Sequence, residues 1–331
     1  MMNNSMNNGA ANNNNSNNGG FIMAAGTMTI EAFSGAVKEA LSVYFGDCTL
    51  ELQDVVKNNE NTHHGLCIRE QGSNVAPTIY LDGFFRDYQN GRSFVEIVRE
   101  IAGVYESHRV SSRFDTSSIT DYERAKDRIC FKLVNTGRNR VRLSDMPHVP
   151  FCDLSVTFYV LLGIEEGQTA SVTVNNSLMD TWGIDTDTLF ERAKYNTPRL
   201  LQGSVQSMEE VLSDILNEEP GDFLEDDFDG IPAAGGGFGM YVASNRLKMN
   251  GAAVFLYDSL LSRFADRIGT DFYILPSSIH ELIFLPVVPS MDKEELREMV
   301  PAVNSTVVSP EEVLSDNVYR YRRATGLVEI V

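Results

Sequence analysis

The chain has 331 residues, 43% of them hydrophobic and 22% charged, the balance of an ordinary soluble globular protein with enough length for a sizeable core. Its 27 basic and 46 acidic side chains leave a net charge of −19, which excludes broad nucleic-acid or anionic-membrane binding over the whole surface. The most apolar long stretch, 251–268, is broken by Asp258, Arg263, Asp266 and Arg267, so it reads as a buried helix and not a membrane span.

Residues 1–27 open as an Asn-rich, uncharged and patternless leader that has no means of packing and lacks the basic start of a secretory signal. The run Asn17-Asn18-Gly19-Gly20 before Met23 is what an A-rich stretch followed by GGAGG encodes, so translation is expected to start at Met23 or Met28 rather than Met1. From 28 to 199 the pattern is that of an N-terminal α+β lobe. A helix is expected over 30–44, then strands near 50–56, 66–70 and 77–81. Ser93 with Glu96 opens a helix whose core stripe is Phe94, Ile97, Val98, Ile101, Val104 and Tyr105. Thr120 with Glu123 predicts a further helix over 121–134. Strands over 154–162 and 169–174 read as a hairpin around 163–167, and a helix over 185–195 should end before Pro198.

Residues 200–239 read as one helix (207–217, capped by Ser207 with Glu210) followed by a flexible acidic linker, which carries Glu218 to Asp229 and ends in a Gly-rich run. It is expected to separate the first lobe from a C-terminal α+β lobe, 240–331. That lobe should hold a strand over 240–243, the buried helix 251–268, a hairpin over 272–286 and helices over 293–300 and 311–314. Asp292 with Glu295 and Ser309 with Glu312 serve as their caps. Strands come in hairpins rather than βαβ units, so the fold class is α+β, with two lobes of mainly antiparallel sheet and packed helices. In the hairpin, Phe272 and Ile274 alternate with Tyr273 and Leu275, and both faces are apolar, which places it centrally in its sheet.

No cofactor or metal motif is complete. His280-Glu281 starts like H-E-x-x-H but has Phe284 where the second histidine belongs, 235–239 lacks the Gly-Lys-Ser/Thr of a phosphate loop, and the acidic run at 225–230 has Gly236 where a calcium loop needs Glu. Cys48, Cys67, Cys130 and Cys152 form no C-x-x-C pair and read as reduced thiols, which favours a cytoplasmic location. Two polar groupings remain. The hairpin tip carries Ser277, Ser278, His280 and Glu281, either as ordinary turn chemistry or as a hydrolase site completed by Asn176, Asp180 or Asn245. The one basic concentration is Arg124, Lys126, Arg128, Lys132, Arg138, Arg140 and Arg142; Arg138, Arg140 and Arg142 would project from one side of a strand, either as an anion or partner patch, with phosphate or nucleic acid as the contact, or paired with the protein's own carboxylates.

The phrases GSNVAPTIYLDGFF (72–85), DRICFKLVN (127–135), TASVTVNNSLMDTWGID (169–185), DFYILPSSIHE (271–281) and VSPEEVLSDNVYRY (308–321) resemble domain-of-unknown-function family 5688, found chiefly in gut Clostridia, over about residues 28–323. The resemblance implies an accessory bacterial protein, in some members encoded near mobile elements, and carries over no catalytic residue. Two functions follow: a cytoplasmic, non-enzymatic binding or regulatory protein with a protein partner, or a hydrolase-like enzyme at the 277–281 tip. Direct nucleic-acid binding is not expected, because the acidic surface opposes it.

Overall fold

The computed structural model describes residues 28–74, 76–108, 115–165, 168–217 and 239–331; the Asn-rich leader, the acidic run and most of the Gly-rich run lie outside them. The chain is α+β, with three antiparallel sheets and packed helices. It divides into two compact units.

The first unit holds the described residues up to Leu52 together with 64–71 and 76–108. Helix α1 (Ile30–Tyr44) starts where Thr29 accepts the amide of Ala32, and Phe33, Val37 and Leu41, four apart, make its buried stripe. Strands β1 (Cys48–Val56), β2 (Thr62–Glu70) and β3 (Thr78–Tyr80) form a sheet in that order. Helix α2 (Asp82–Gln89), not expected from the sequence, precedes α3 (Phe94–His108), and Ile97, Val98, Ile101 and Tyr105 of α3 complete the core.

The second unit holds 53–63, 72–74 and the described residues beyond 114. Its first elements are α4 (Ser117–Thr120), α5 (Tyr122–Ala125) and β4 (Ile129–Asn135). The long helix expected over 121–134 is therefore one turn and a strand. Asp121, not Thr120, caps the turn through the amide of Glu123, and beyond it Ile129, Phe131 and Leu133 alternate into the core. The Arg138–Arg142 stretch is a tight turn followed by α6 (Arg140–Leu143) instead of a strand. Strands β5 (His148–Phe151), β6 (Leu154–Glu165) and β7 (Gln168–Thr173) follow, then α7 (Asn176–Trp182) and α8 (Thr186–Leu200), which continues through Pro198. Next come β8 (Gly203–Ser207), α9 (Met208–Asn217) and β9 (Tyr241–Asn245). At α9 the amide of Ser207 donates to Glu210 and the amide of Glu210 to Ser207 Oγ, a complete capping box.

The buried helix expected over 251–268 breaks at Tyr257 into a 3-10 segment (Gly251–Leu256) and α10 (Asp258–Ile268). Strands β10 (Phe272–Leu275) and β11 (Leu282–Pro286) precede α11 (Lys293–Thr306), which passes Pro301. Packing of Leu296, Val300 and Asn304 keeps that helix going past the point where a proline signals a stop. No helix forms over 311–314, where a turn covers 310–312, and β12 (Tyr319–Arg322) and β13 (Leu327–Ile330) end the fold.

Strand β6 pairs with β4, β5 and β7, and the other sheet runs β13-β12-β10-β11-β9-β8. The β10–β11 hairpin is central, with Phe272, Ile274, Leu282 and Phe284 in the main core and Tyr273, Leu275 and Leu285 packed with Leu296 and Val300 of α11. The expected lobe boundary at 200–239 is not where the units divide. β8, from that segment, pairs with β9, and one cluster joins Phe131, Phe158 and Leu189 to Phe264 and Phe284. The acidic composition that marked the segment as a linker is concentrated after residue 217, so it carries no information about 200–217.

The main core is tied by Asp153, in the turn between β5 and β6. Its carboxylate accepts Ser315 Oγ at 2.7 Å, Asn317 Nδ2 at 3.0 Å and Tyr319 Oη at 2.5 Å. Asp153→Ala should leave these partly buried donors unmatched and cost about 3 kcal/mol in urea unfolding, with Asp153→Asn recovering part of it. A loss under about 1 kcal/mol would show that water replaces the carboxylate without penalty.

Candidate functional site

The hairpin tip spans 276–281, and β11 begins only at Leu282, so His280 and Glu281 lie in the connection and not on a strand. The tip is held by its own polar groups. Ser278 N donates to Glu281 O at 3.2 Å, His280 N donates to Ser278 Oγ at 3.0 Å, and Ser277 Oγ donates to Glu281 Oε1 at 3.3 Å. The imidazole of His280 accepts the Asn250 amide at Nδ1, 3.2 Å, which fixes its proton on Nε2, 3.7 Å from Glu312 Oε1. Its carbonyl accepts Ser244 Oγ at 2.7 Å.

The 244–252 segment presses on this tip at Gly251. A Cβ there would stand 2.3 Å from His280 O and 2.1 Å from Ser244 Oγ, so the close approach needs glycine. Asn245, 1% exposed, holds the same segment by donating to Met249 O at 2.8 Å and accepting the Leu247 amide at 3.1 Å. Of the groups expected to complete a hydrolase site, only Asn245 is in this neighbourhood. Asn176 donates to Ser144 O at 3.2 Å, and Asp180 is exposed on the same helix, α7.

The three arginines diverge because the chain turns there. Arg138 pairs with Asp316 at 2.6 Å, and Arg140 is exposed with no ion pair among the described residues. Arg142 is half-buried, donates to Asn139 Oδ1 at 3.3 Å, and has its pKa lowered by burial. Asn139 is fully engaged: its Oδ1 also accepts Asn59 N at 2.9 Å, and its Nδ2 donates to Asn59 Oδ1 and Asn135 O at 3.0 and 2.9 Å. Asn59 can make this exchange because it adopts a left-handed conformation (φ 58°), in a turn whose side chains also reach Pro310, Glu311 and Val313 carbonyls.

Arg142 shares a recess with Lys132, another member of the basic concentration over 124–142. Pairing of β4, β6 and β5 sets Lys132, Thr157 and His148 side by side in one row. Lys132, Thr157, Asn139, Arg142, Val134, Leu143 and Met146 line the recess. Thr157 is fully buried and its hydroxyl has no hydrogen-bond partner among the described residues. Lys132 has no ion pair among the described residues, and its pKa is pulled down to about 8, first by burial and then by the charges of Arg142 and Lys57. His148, at the row's exposed end, bonds through Nδ1 to Met146 O at 2.9 Å. The available signal was the alternation of 129–135, which marks a strand and puts Lys132 on the face opposite Phe131.

All four cysteines are unpaired; burial pushes the Cys130 thiol up to about 12, and burial with the charge of Asp153 raises Cys152. Among the described residues no cluster of three or more His, Cys, Asp or Glu side chains can hold a metal, and no helix is long and apolar enough to cross a membrane.

The sequence model of a family of unknown function matches residues 30–323. No curated protein and no solved structure matches the chain.

The depressed lysine fixes a pH dependence. Unfolded, Lys132 keeps its proton to about pH 10.4; folded, it releases it near 8, so at neutral pH the charge destabilises the fold, and the penalty fades as pH rises from about 8 to 10.5. Lys132→Met, which keeps the unbranched stem, should therefore stabilise the protein by about 2–3 kcal/mol at pH 7, with the gain near zero by about pH 10.5. Urea unfolding at both pH values checks this; an equal gain at both would mean that the charge is not what costs.

Proposed function

The chain belongs to this family of unknown function, DUF5688, and within it we propose that it is a non-enzymatic binding or regulatory protein of the cytoplasm, acting as an accessory factor. The observation that carries this reading is the occupied Nδ1 of His280. That nitrogen accepts a backbone amide, while the Ser278 hydroxyl accepts the amide of His280 itself. A serine nucleophile needs a base nitrogen pointed at its proton, and here both groups hold backbone instead. The net charge of −19 favours a basic protein as partner over a nucleic acid, through an association that weakens with salt. The four unpaired cysteines support the cytoplasmic location.

The hydrolase reading makes an opposite forecast, so it supplies the test. Wild type, Ser278→Ala and His280→Gln are compared on chromogenic carboxylic esters, phosphate esters and dipeptide amides, with thermal melts as folding controls. The expected result is no saturable turnover, with identical background for all three proteins. Saturable turnover in the wild type that a folded Ser278→Ala variant loses would overturn the proposal.

A further inference from the structure

We propose that the recess bounded by β4, β6 and α6 binds a phosphoryl group, a tetrahedral oxyanion held by Lys132, Arg142 and the hydroxyl of Thr157. The site goes beyond the binding reading by naming a ligand chemistry, and it stands independently of the hairpin tip.

The first argument is charge. The protein has acid to spare and uses it on its cations: Arg138 meets Asp316, Arg124 meets Asp115, Lys126 meets Glu123, and Arg320 meets Asp271. Lys132 and Arg142, half-buried in the same recess, meet no carboxylate among the described residues. Two cations that share a recess repel each other, and an anion between them reverses the sign of that interaction. Two cations and a hydroxyl converging on one recess suit a dianion better than a monoanionic carboxylate.

The second argument is the hydroxyl. Thr157 is 0% exposed and its Oγ1 is unpartnered among the described residues, which is uncommon for a buried polar atom. Its neighbour on the same row is Lys132. An oxyanion in the recess gives the threonine an acceptor and supplies both cations with charge-assisted hydrogen bonds. The third argument is the lining: Val134, Leu143 and Met146 supply apolar walls that strengthen the attraction, and the one bond of Arg142 to Asn139, at 3.3 Å, does not lock its guanidinium away from a ligand.

Size limits the ligand. As the lining side chains are packed, the recess has no room for a separate water. A phosphoryl group enters by moving the Lys132 and Arg142 head groups outward on their flexible stems, and anything attached to it stays at the mouth. Free phosphate and the phosphoryl end of a larger molecule fit this chemistry equally.

Calorimetry and thermal shift with inorganic phosphate and with O-phosphoserine, using acetate as the control, separate these sources. The expected result is saturable binding of at least one phosphoryl probe, weakened by at least about tenfold in Lys132→Met and Arg142→Gln and unchanged in Arg138→Gln. Nuclear magnetic resonance of labelled lysine should show the Lys132 titration moving upward when the probe binds. Loss of binding to phosphoserine alone would assign the site to phosphate, and the reverse would assign it to a phosphorylated ligand. Absence of saturable binding by both probes at millimolar concentration, or full binding by folded Lys132→Met and Arg142→Gln, would overturn the proposal. Neither failure bears on the turnover measurements at Ser278 and His280.

Discussion

The two-residue period of β4 and β6 is the constraint on which the larger unit depends. Phe131 and Leu133 of β4 and Val156 and Phe158 of β6 enter the main core, which also receives Phe264, Phe272 and Phe284. Once those positions are fixed, Cys130, Lys132, Thr157 and Tyr159 must take the other face. That face has two characters. At one end Cys130, Tyr159 and Leu161 cluster with Leu201, and Tyr257 donates to Leu201 O at 2.9 Å, so burial there is apolar and the thiol is inert. At the other end Lys132 and Thr157 meet α6 and its guanidinium. A single alternation thus yields a closed core and a cationic recess.

The free edge of β4 is managed by α8 rather than by another strand. The amide of Phe131 donates to Thr197 Oγ1 at 3.0 Å, and Asn196 Nδ2 donates to Ile129 O at 3.0 Å. Both residues are fully buried, polar, and next to Pro198. Helix propensity would stop the helix before that proline, but stopping there would release Asn196 and Thr197 and leave the edge of β4 unmatched. The strand therefore sets the length of the helix.

Much of the second sheet was legible because its pattern is local. The hairpin 272–286 is apolar on both faces, and those two faces meet two different helical layers, the Gly251–Ile268 segments and α11. The capping box at Ser207 and Glu210 was legible for the same reason, since both partners lie in one turn. The region around Lys132 was not. Thr120 and Glu123 imitate a capping box, and Arg124, Lys126 and Arg128 carry the helical reading past the point where the strand pattern of 129–135 begins. The true cap is one residue later, and the helix it starts ends at Ala125. In Arg138–Arg142 the alternation imitates a strand, whereas the conformation is set by Asn135, whose carboxamide oxygen accepts the Arg138 amide, and by Asn59, eighty positions away from Asn139. No window of local sequence contains that second contact.

The difference between the tip and the recess is one of residual capacity. At the tip, Ser277, Ser278, His280 and Glu281 satisfy one another and the neighbouring backbone, so the tightness needed at Gly251 consumes the very atoms that chemistry would use. In the recess, the backbone is satisfied by the β4–β6 ladder and by Asn139, the arginine keeps one bond to Asn139, and the lysine head group and threonine hydroxyl are left over. A buried cation without a counterion and a buried hydroxyl without an acceptor both destabilise the fold that holds them, and water is denied the space to relieve them. Destabilising groups of that kind, held in place by an otherwise complete hydrogen-bond network, are where a folded chain retains free energy for a ligand to recover. In this chain that argument favours the sheet face carrying Lys132 over the hairpin that the sequence makes most conspicuous.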